Sequence, residues 1–292
     1  MGADLLASEG DLLDGYLRQA EAASGQPIRR IMLEGPMEAL TRTEVAQPAL
    51  FCVSLAVTDA ARARGLQPDY VAGHSLGEYT AAAASGAVSV EDGIDLVCLR
   101  GRLMGEIGDE RPGAMAAVIG LDADKLQGLC DKAAEAGMVS LANINSPTQI
   151  VVSGEEDGVV RLMELAEEAD ASRVVRLQVA AAFHSELMKP VQEQMAEAVR
   201  GVAWSDPRVP VASNSRGAIV RDAESLQEAL VEQIASPVRW VECVHALVAE
   251  GATTFLESGP GRVLGGLVRQ IHPDADVFSA DSPARLDEFA SR

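Results

Sequence analysis

Apolar positions along this chain follow two rhythms. Helical spacing marks residues 11–24, where Leu12, Leu13, Tyr16 and Leu17 share a face. It also predicts helices over 43–64, 90–106, 122–136, 155–169, 184–200, 223–234, 239–250 and 263–271, with one proline-started turn at 36–40. Short apolar runs bounded by Gly, Pro and Asn predict strands at 70–72, 114–119, 139–143, 149–153, 173–179, 209–212 and 253–257. The stretch 28–33 is short and apolar without a clear period. Ser89 is placed to cap the 90–106 helix, with Asp92 at the capping-box position.

The order of these elements predicts the architecture. Between Gly113 and Ala180 it reads β-α-β-β-α-β, the order of a ferredoxin-like unit. On either side strands and helices alternate, as in a largely parallel, helix-covered sheet. The expected fold is therefore α/β: a discontinuous hydrolase-like core over 1–112 and 181–292, with a small ferredoxin-like domain inserted at 113–180.

Composition narrows the picture. Hydrophobic residues are 48% of 292 but aromatics only 3%, so the core must be built from Ala, Val, Leu and Ile. A formal net charge of −20 argues against nucleic acid as a partner, because phosphates would be repelled. No apolar run approaches the roughly 18 residues that span a bilayer, and the first residues lack the basic start of a signal peptide. No membrane contact and a cytoplasmic location are expected. Cys52, Cys98, Cys130 and Cys243 lie far apart, so reduced core thiols are expected rather than a metal site.

Candidate chemistry centres on Gly73-His74-Ser75-Leu76-Gly77, the nucleophile-elbow pattern between a strand and a helix. A serine on so sharp a turn is strained, and the glycines two residues either way are expected to be required by crowding. The helix has Gly86 as its left-handed stop. A serine nucleophile needs a base. Of the four histidines, His74 adjoins Ser75 but points elsewhere on an elbow, His245 sits in an amphipathic helix, and His272 is expected at the surface. His184 stands where the small domain hands back to the large one, and clefts form at such junctions. The group orienting it is open between a carboxylate and a backbone carbonyl. Arg100 has two readings, a solvated arginine paired with Glu106 or Asp95, or a buried fork that grips a substrate carboxylate.

Several segments together carry a family resemblance. They are Gly73 to Tyr79, Thr43 to Leu50, Leu99-Arg100-Gly101 with Met104, Gly113 to Ala117, Asn143 to Pro147, Ala182 to Ser185 with Leu187-Met188, Gln233 to Trp240, and Ser258 to Gly261. In order and over nearly the whole chain, they resemble malonyl-CoA:acyl carrier protein transacylases and polyketide synthase acyltransferase domains. The resemblance implies a malonyl ester on Ser75, His184 as general base, and Arg100 on the malonyl carboxylate. It implies a Gln233 backbone carbonyl orienting the histidine, the Leu76 N–H as oxyanion donor, Asn145 lining the cleft, and Phe183 restricting room for a methyl branch. Malonyl-CoA and the phosphopantetheine thiol of an acyl carrier protein are the implied substrates, with no bound cofactor. Lys189, Arg216, Arg239 and Arg262 are candidates for a basic docking patch.

One departure is expected to matter. Family members open with a strand and a Pro-Gly-Gln-Gly-Ser-Gln loop whose glutamine helps form the oxyanion hole. Met1-Gly2-Ala3-Asp4-Leu5-Leu6 looks like the stretch after it, as expected of a start at an internal methionine or a truncated form. Losing that donor costs on the order of 3 kcal/mol, or ~100–1000-fold in rate. The competing readings are a serine thioesterase or esterase using the same Ser-His pair, and a catalytically impaired or scaffolding subunit.

Overall fold

The computed structural model describes the chain apart from Glu9, Ala180 and the side chain of Ser8. The expected end of the small domain at Ala180 thus lies outside the described residues.

The strands are β1 (Val71–Ala72), β2 (Ala114–Ile119), β3 (Val139–Ser146), β4 (Gln149–Gly154), β5 (Arg173–Arg176), β6 (Val211–Ser213), β7 (Ala218–Val220), β8 (Thr254–Ser258) and β9 (Asp276–Ala280). Strands β2 to β5 form one antiparallel sheet in the order β3-β4-β2-β5. With the helices Ala123–Ala133 and Glu156–Glu168 between them, this is the ferredoxin-like topology that the sequence order predicts. The unit has its own core, with Val118, Leu126, Ile150, Val152 and Leu162 fully buried. Its other face, with Met115, Ala142 and Val151, packs against Phe183.

The remaining strands run two to five residues and are split between two sheets. β1 pairs parallel with β6, β6 antiparallel with β7, and β8 parallel with β9. β1 and β8 each end a sheet, and both line a cavity of about 750 Å³. Against these sheets pack the helices Thr43–Ala63 and Leu76–Ser85, and the Val90–Glu110 helix packs on both of them. Small residues let these helices approach closely: a Cβ added at Gly101 would lie 2.6 Å from Thr43 O, and one at Gly93 2.8 Å from the Phe51 ring. The Leu76–Ser85 helix is buried at every position but Gly77. Among the described residues no helix is long and apolar enough to cross a membrane.

Some local expectations shift. The strand expected over 173–179 ends at Arg176, although the Leu177 N–H still bonds Met115 O at 2.9 Å. The 184–200 helix starts later, with a three-residue turn Glu186–Met188 before Lys189–Gly201, because Ser185 takes the cap and Pro190 sits in the first turn. The 28–33 stretch is a helix, Ile28–Glu34, burying Ile28, Ile31 and Met32 at helical spacing. Strands β7 and β9 and the helices Ala3–Ser8 and Pro283–Ala290 are additions to the expected pattern.

Candidate active site

The elbow forms where β1 turns into the Leu76–Ser85 helix. Ser75 has φ 53° and ψ −110°, a left-sided backbone conformation that costs on the order of 1–3 kcal/mol for a side-chain-bearing residue. Asn214, at the end of β6, holds the strain in place. Its Oδ1 accepts from the Ser75 N–H at 2.7 Å, and its Nδ2 donates to Gly73 O at 2.8 Å. The two glycines differ in what they do. A Cβ on Gly73 would lie 1.9 Å from Gly77 C and O, whereas one on Gly77 would meet nothing within 4 Å. Crowding therefore requires Gly73 alone, which corrects the expectation for both.

His184 lies against the serine. Its Nε2 is 2.7 Å from Ser75 Oγ, and its Nδ1 is 2.9 Å from Gln233 O. A carbonyl can only accept, so Nδ1 carries the proton and Nε2 is left to accept from the hydroxyl. The orienting group is thus a backbone carbonyl. Burial, then the nearby Arg100 charge, push the His184 imidazolium down to about 3, so the ring is neutral at physiological pH. The other histidines lie elsewhere. His74 Nε2 meets Asn145 Oδ1 at 2.7 Å and its ring tilts against Trp240. His245 is exposed, and His272 is half-buried rather than at the surface as expected.

Arg100 is buried, with 1% of its surface exposed. Its Nη1 donates to Gln47 Oε1 at 2.7 Å, and its Nη2 to Gln233 Oε1 at 2.9 Å and Ser75 Oγ at 3.1 Å. Nε is buried without a partner among the described residues. The surface pairing with Glu106 belongs to Arg102 instead, at 3.0 Å. No described carboxylate comes within ion-pair distance of Arg100; its cation sits over the Tyr79 ring at 5.4 Å.

The other expected positions are close by. Leu76 supplies the first N–H of the elbow helix, one of the orphan donors that such an end presents. Phe183 is half-buried and, with Leu99 and Met104, lines a cavity of about 960 Å³ beside the Val90–Glu110 helix. Asn145 is 9% exposed and reaches the elbow through His74. Gln47, Glu78 and Asn214 are site residues that the sequence reading did not single out. A polar Gln47 inside the apolar run 45–57, and an Asn at the carboxyl end of a strand, were the available signals.

A serine in a strained elbow, a neutral imidazole taking its proton, and a helix N-terminus beside it define an acyl-transfer site. The acyl transferase domain family matches residues 1–278, and the chain belongs to it. The chain is similar to the malonyl CoA-acyl carrier protein transacylase of Bacillus subtilis, 42% identical over 270 residues that cover 92% of this chain and 85% of the relative. That of Haemophilus influenzae is 37% identical over 284 residues, covering 97% and 91%. Among solved structures, the malonyl-CoA:acyl carrier protein transacylase of Xanthomonas oryzae superposes with a TM-score of 0.95 at 37% identity, covering 100% of this chain and 93% of the other. A malonyl-transacylase in complex with its type II polyketide acyl carrier protein also gives 0.95, at 35% identity, covering 100% and 94%.

Proposed function

We propose that this chain moves a malonyl group from malonyl-CoA to the phosphopantetheine thiol of an acyl carrier protein through an ester on Ser75. One observation carries the reading. The Arg100 guanidinium is buried, has no carboxylate in contact among the described residues, and lies 3.1 Å from Ser75 Oγ. A buried cation held only by neutral acceptors leaves part of its desolvation cost uncompensated. A donor whose acyl group ends in a carboxylate offsets that cost as it binds, and an acetyl group does not.

In this reading His184 Nε2 takes the Ser75 proton as Oγ attacks the thioester carbonyl. The Leu76 N–H faces the developing oxyanion. The carbon–sulfur bond breaks, and the CoA sulfur leaves with the proton from His184. In the second half the pantetheine thiol gives its proton to His184 and its sulfur attacks the ester. The Ser75 oxygen leaves and recovers the proton. Gln233 O keeps His184 in the tautomer both halves need, so no carboxylate is required as a third member. Asn145 braces His74 from β3, and Phe183 bounds the acyl end. Every step uses these side chains, the CoA thioester and the pantetheine thiol, with no further cofactor.

The separate cores support a discontinuous acyltransferase body over 1–112 and 181–292 and a small domain over 113–180. Four buried free cysteines support a cytoplasmic location. The docking patch has less support, because Lys189, Arg216 and Arg239 are held by Glu186, Glu228 and Glu242.

Incubation with malonyl-CoA and intact-mass measurement tests the reading. A malonyl adduct is expected on the wild-type chain, absent in Ser75→Ala and discharged by holo acyl carrier protein. An adduct that Ser75→Ala retains, or that only water discharges, refutes it.

A further inference from the structure

One buried carboxyl in this site is used by neither half of the reaction. Glu78, on the first turn of the elbow helix, is 0% exposed. Its Oε1 accepts from the Asn214 N–H at 3.1 Å, and its Oε2 accepts from Gln233 Nε2 at 2.6 Å. The same Gln233 Nε2 donates to Ser75 O at 2.9 Å. These two acceptors decide which way round the amide sits. With its nitrogen turned to them, Gln233 Oε1 faces Arg100 Nη2 at 2.9 Å. Reversed, the amide would set an oxygen against a carboxylate and a carbonyl, and an NH₂ against a guanidinium.

Resting on the malonyl reading of the site, we propose that Glu78 is its positioning residue: through Gln233 its carboxylate aims Arg100 at the acyl carboxylate and supplies a counter-charge that does not compete for the fork. A carboxylate in direct contact with Arg100 would occupy the donors that substrate needs. Set one amide away, the charge steadies the cation and leaves Nε and part of Nη2 for the ligand. The titratable and charged groups around Glu78 are Arg100 from the Val90–Glu110 helix, Tyr79 on its own helix and Cys243 from the Trp240–Ala249 helix. Burial pushes its carboxyl up to about 7, against Gln233, Asn214 and Arg100, which favour the ionised form.

The test compares acylation of Ser75 by malonyl-CoA and by acetyl-CoA, which lacks the carboxylate. Glu78→Gln removes the charge and replaces one acceptor oxygen with an NH₂, which must face a donor either way round, the Gln233 NH₂ or the Asn214 N–H. It is expected to cut malonyl transfer on the order of 100-fold, the scale of a small misplacement in an active site, and to cut acetyl transfer far less. Glu78→Asp, which keeps the charge, is expected to recover part of the malonyl preference. In the wild-type enzyme the malonyl-to-acetyl ratio is expected to fall as pH drops through about 7, a ratio in which any change at His184 cancels. Equal losses for both donors in a variant that melts like wild type overturn the proposal while the Ser75 ester stands. Should neither variant fold, a wild-type ratio that stays flat with pH overturns it alone. A wild-type chain that takes malonyl no better than acetyl removes the role assigned to Arg100, and Glu78's with it.

Discussion

The two elbow glycines offer a sharp comparison, because they look alike in sequence and differ in space. In Gly73→Ala the new Cβ would sit 1.9 Å from two Gly77 backbone atoms and 2.6 Å from Glu78 N. Carbon atoms in contact need about 3.5 Å, so strand and helix must part by roughly 1.5 Å. Ser75 lies between them, and its 2.7 Å bond to His184 would stretch beyond hydrogen-bonding range. Overpacking of this kind costs about 1–3 kcal/mol of stability, and the misplaced hydroxyl on the order of 100-fold in acylation rate. In Gly77→Ala the methyl meets open space, the backbone is ordinary helix, and the residue gains helix propensity of about 0.5–1 kcal/mol. Its melting temperature is expected to rise and its acylation rate to stay at the wild-type level. Quench-flow with mass detection gives the rates and a thermal melt the stabilities. A Gly73→Ala enzyme that acylates normally would refute the steric argument. So would a folded Gly77→Ala as inactive as Gly73→Ala.

Arg100→Ala is expected to lower malonyl transfer roughly 10- to 150-fold, the worth of a charge-assisted bond, and Arg100→Lys to recover little because the fork is lost; kcat/KM for malonyl-CoA reads both. Asn214→Ala leaves the Ser75 N–H and Gly73 O without their partner, so acylation and stability should both fall, the latter by about 1–3 kcal/mol per orphaned group. His184 and Glu78 set opposing pH slopes. His184 titrates near 3 when folded against 6.5 unfolded, so the unfolded chain binds its proton first and stability falls as pH drops from about 6.5 toward 3. Glu78 titrates near 7 against 4.5, so its contribution is full below 4.5 and lost as pH rises through about 7. His74, lowered by burial as well, adds to the His184 slope, so thermal melts should rise with pH between those unfolded values in wild type and rise more steeply in Glu78→Gln.

Much of this was legible because it is local. The elbow is five consecutive residues, and the ferredoxin-like unit declares itself by element order. Arg100 could not be decided from spacing, since its burial depends on Gln47 and Gln233, 53 and 133 residues away. Glu78 was harder still. An acidic residue in a first helical turn ordinarily faces solvent beside the helix dipole, but this helix is enclosed on nearly all sides. Asn214 reaches the elbow only through the pairing of β1 with β6, across 139 residues to Ser75. Strands of three residues, such as β7, are too short to show a period at all.

The seam between the small sheet and the rest of the chain has a mechanical consequence. Ile144 N–H bonds Val238 O at 2.9 Å, Val238 N–H bonds Ala142 O at 2.8 Å, and Asn145 reaches His74. Val238 lies only five residues beyond Gln233. A hinge motion that swung β3 away would have to break both main-chain bonds and pull on the very segment that orients His184. The sheet is therefore riveted to the site rather than hung over it. The amides at Ile144 and Val238 should exchange with solvent as slowly as those of the core, and the sheet should keep its place as substrate enters.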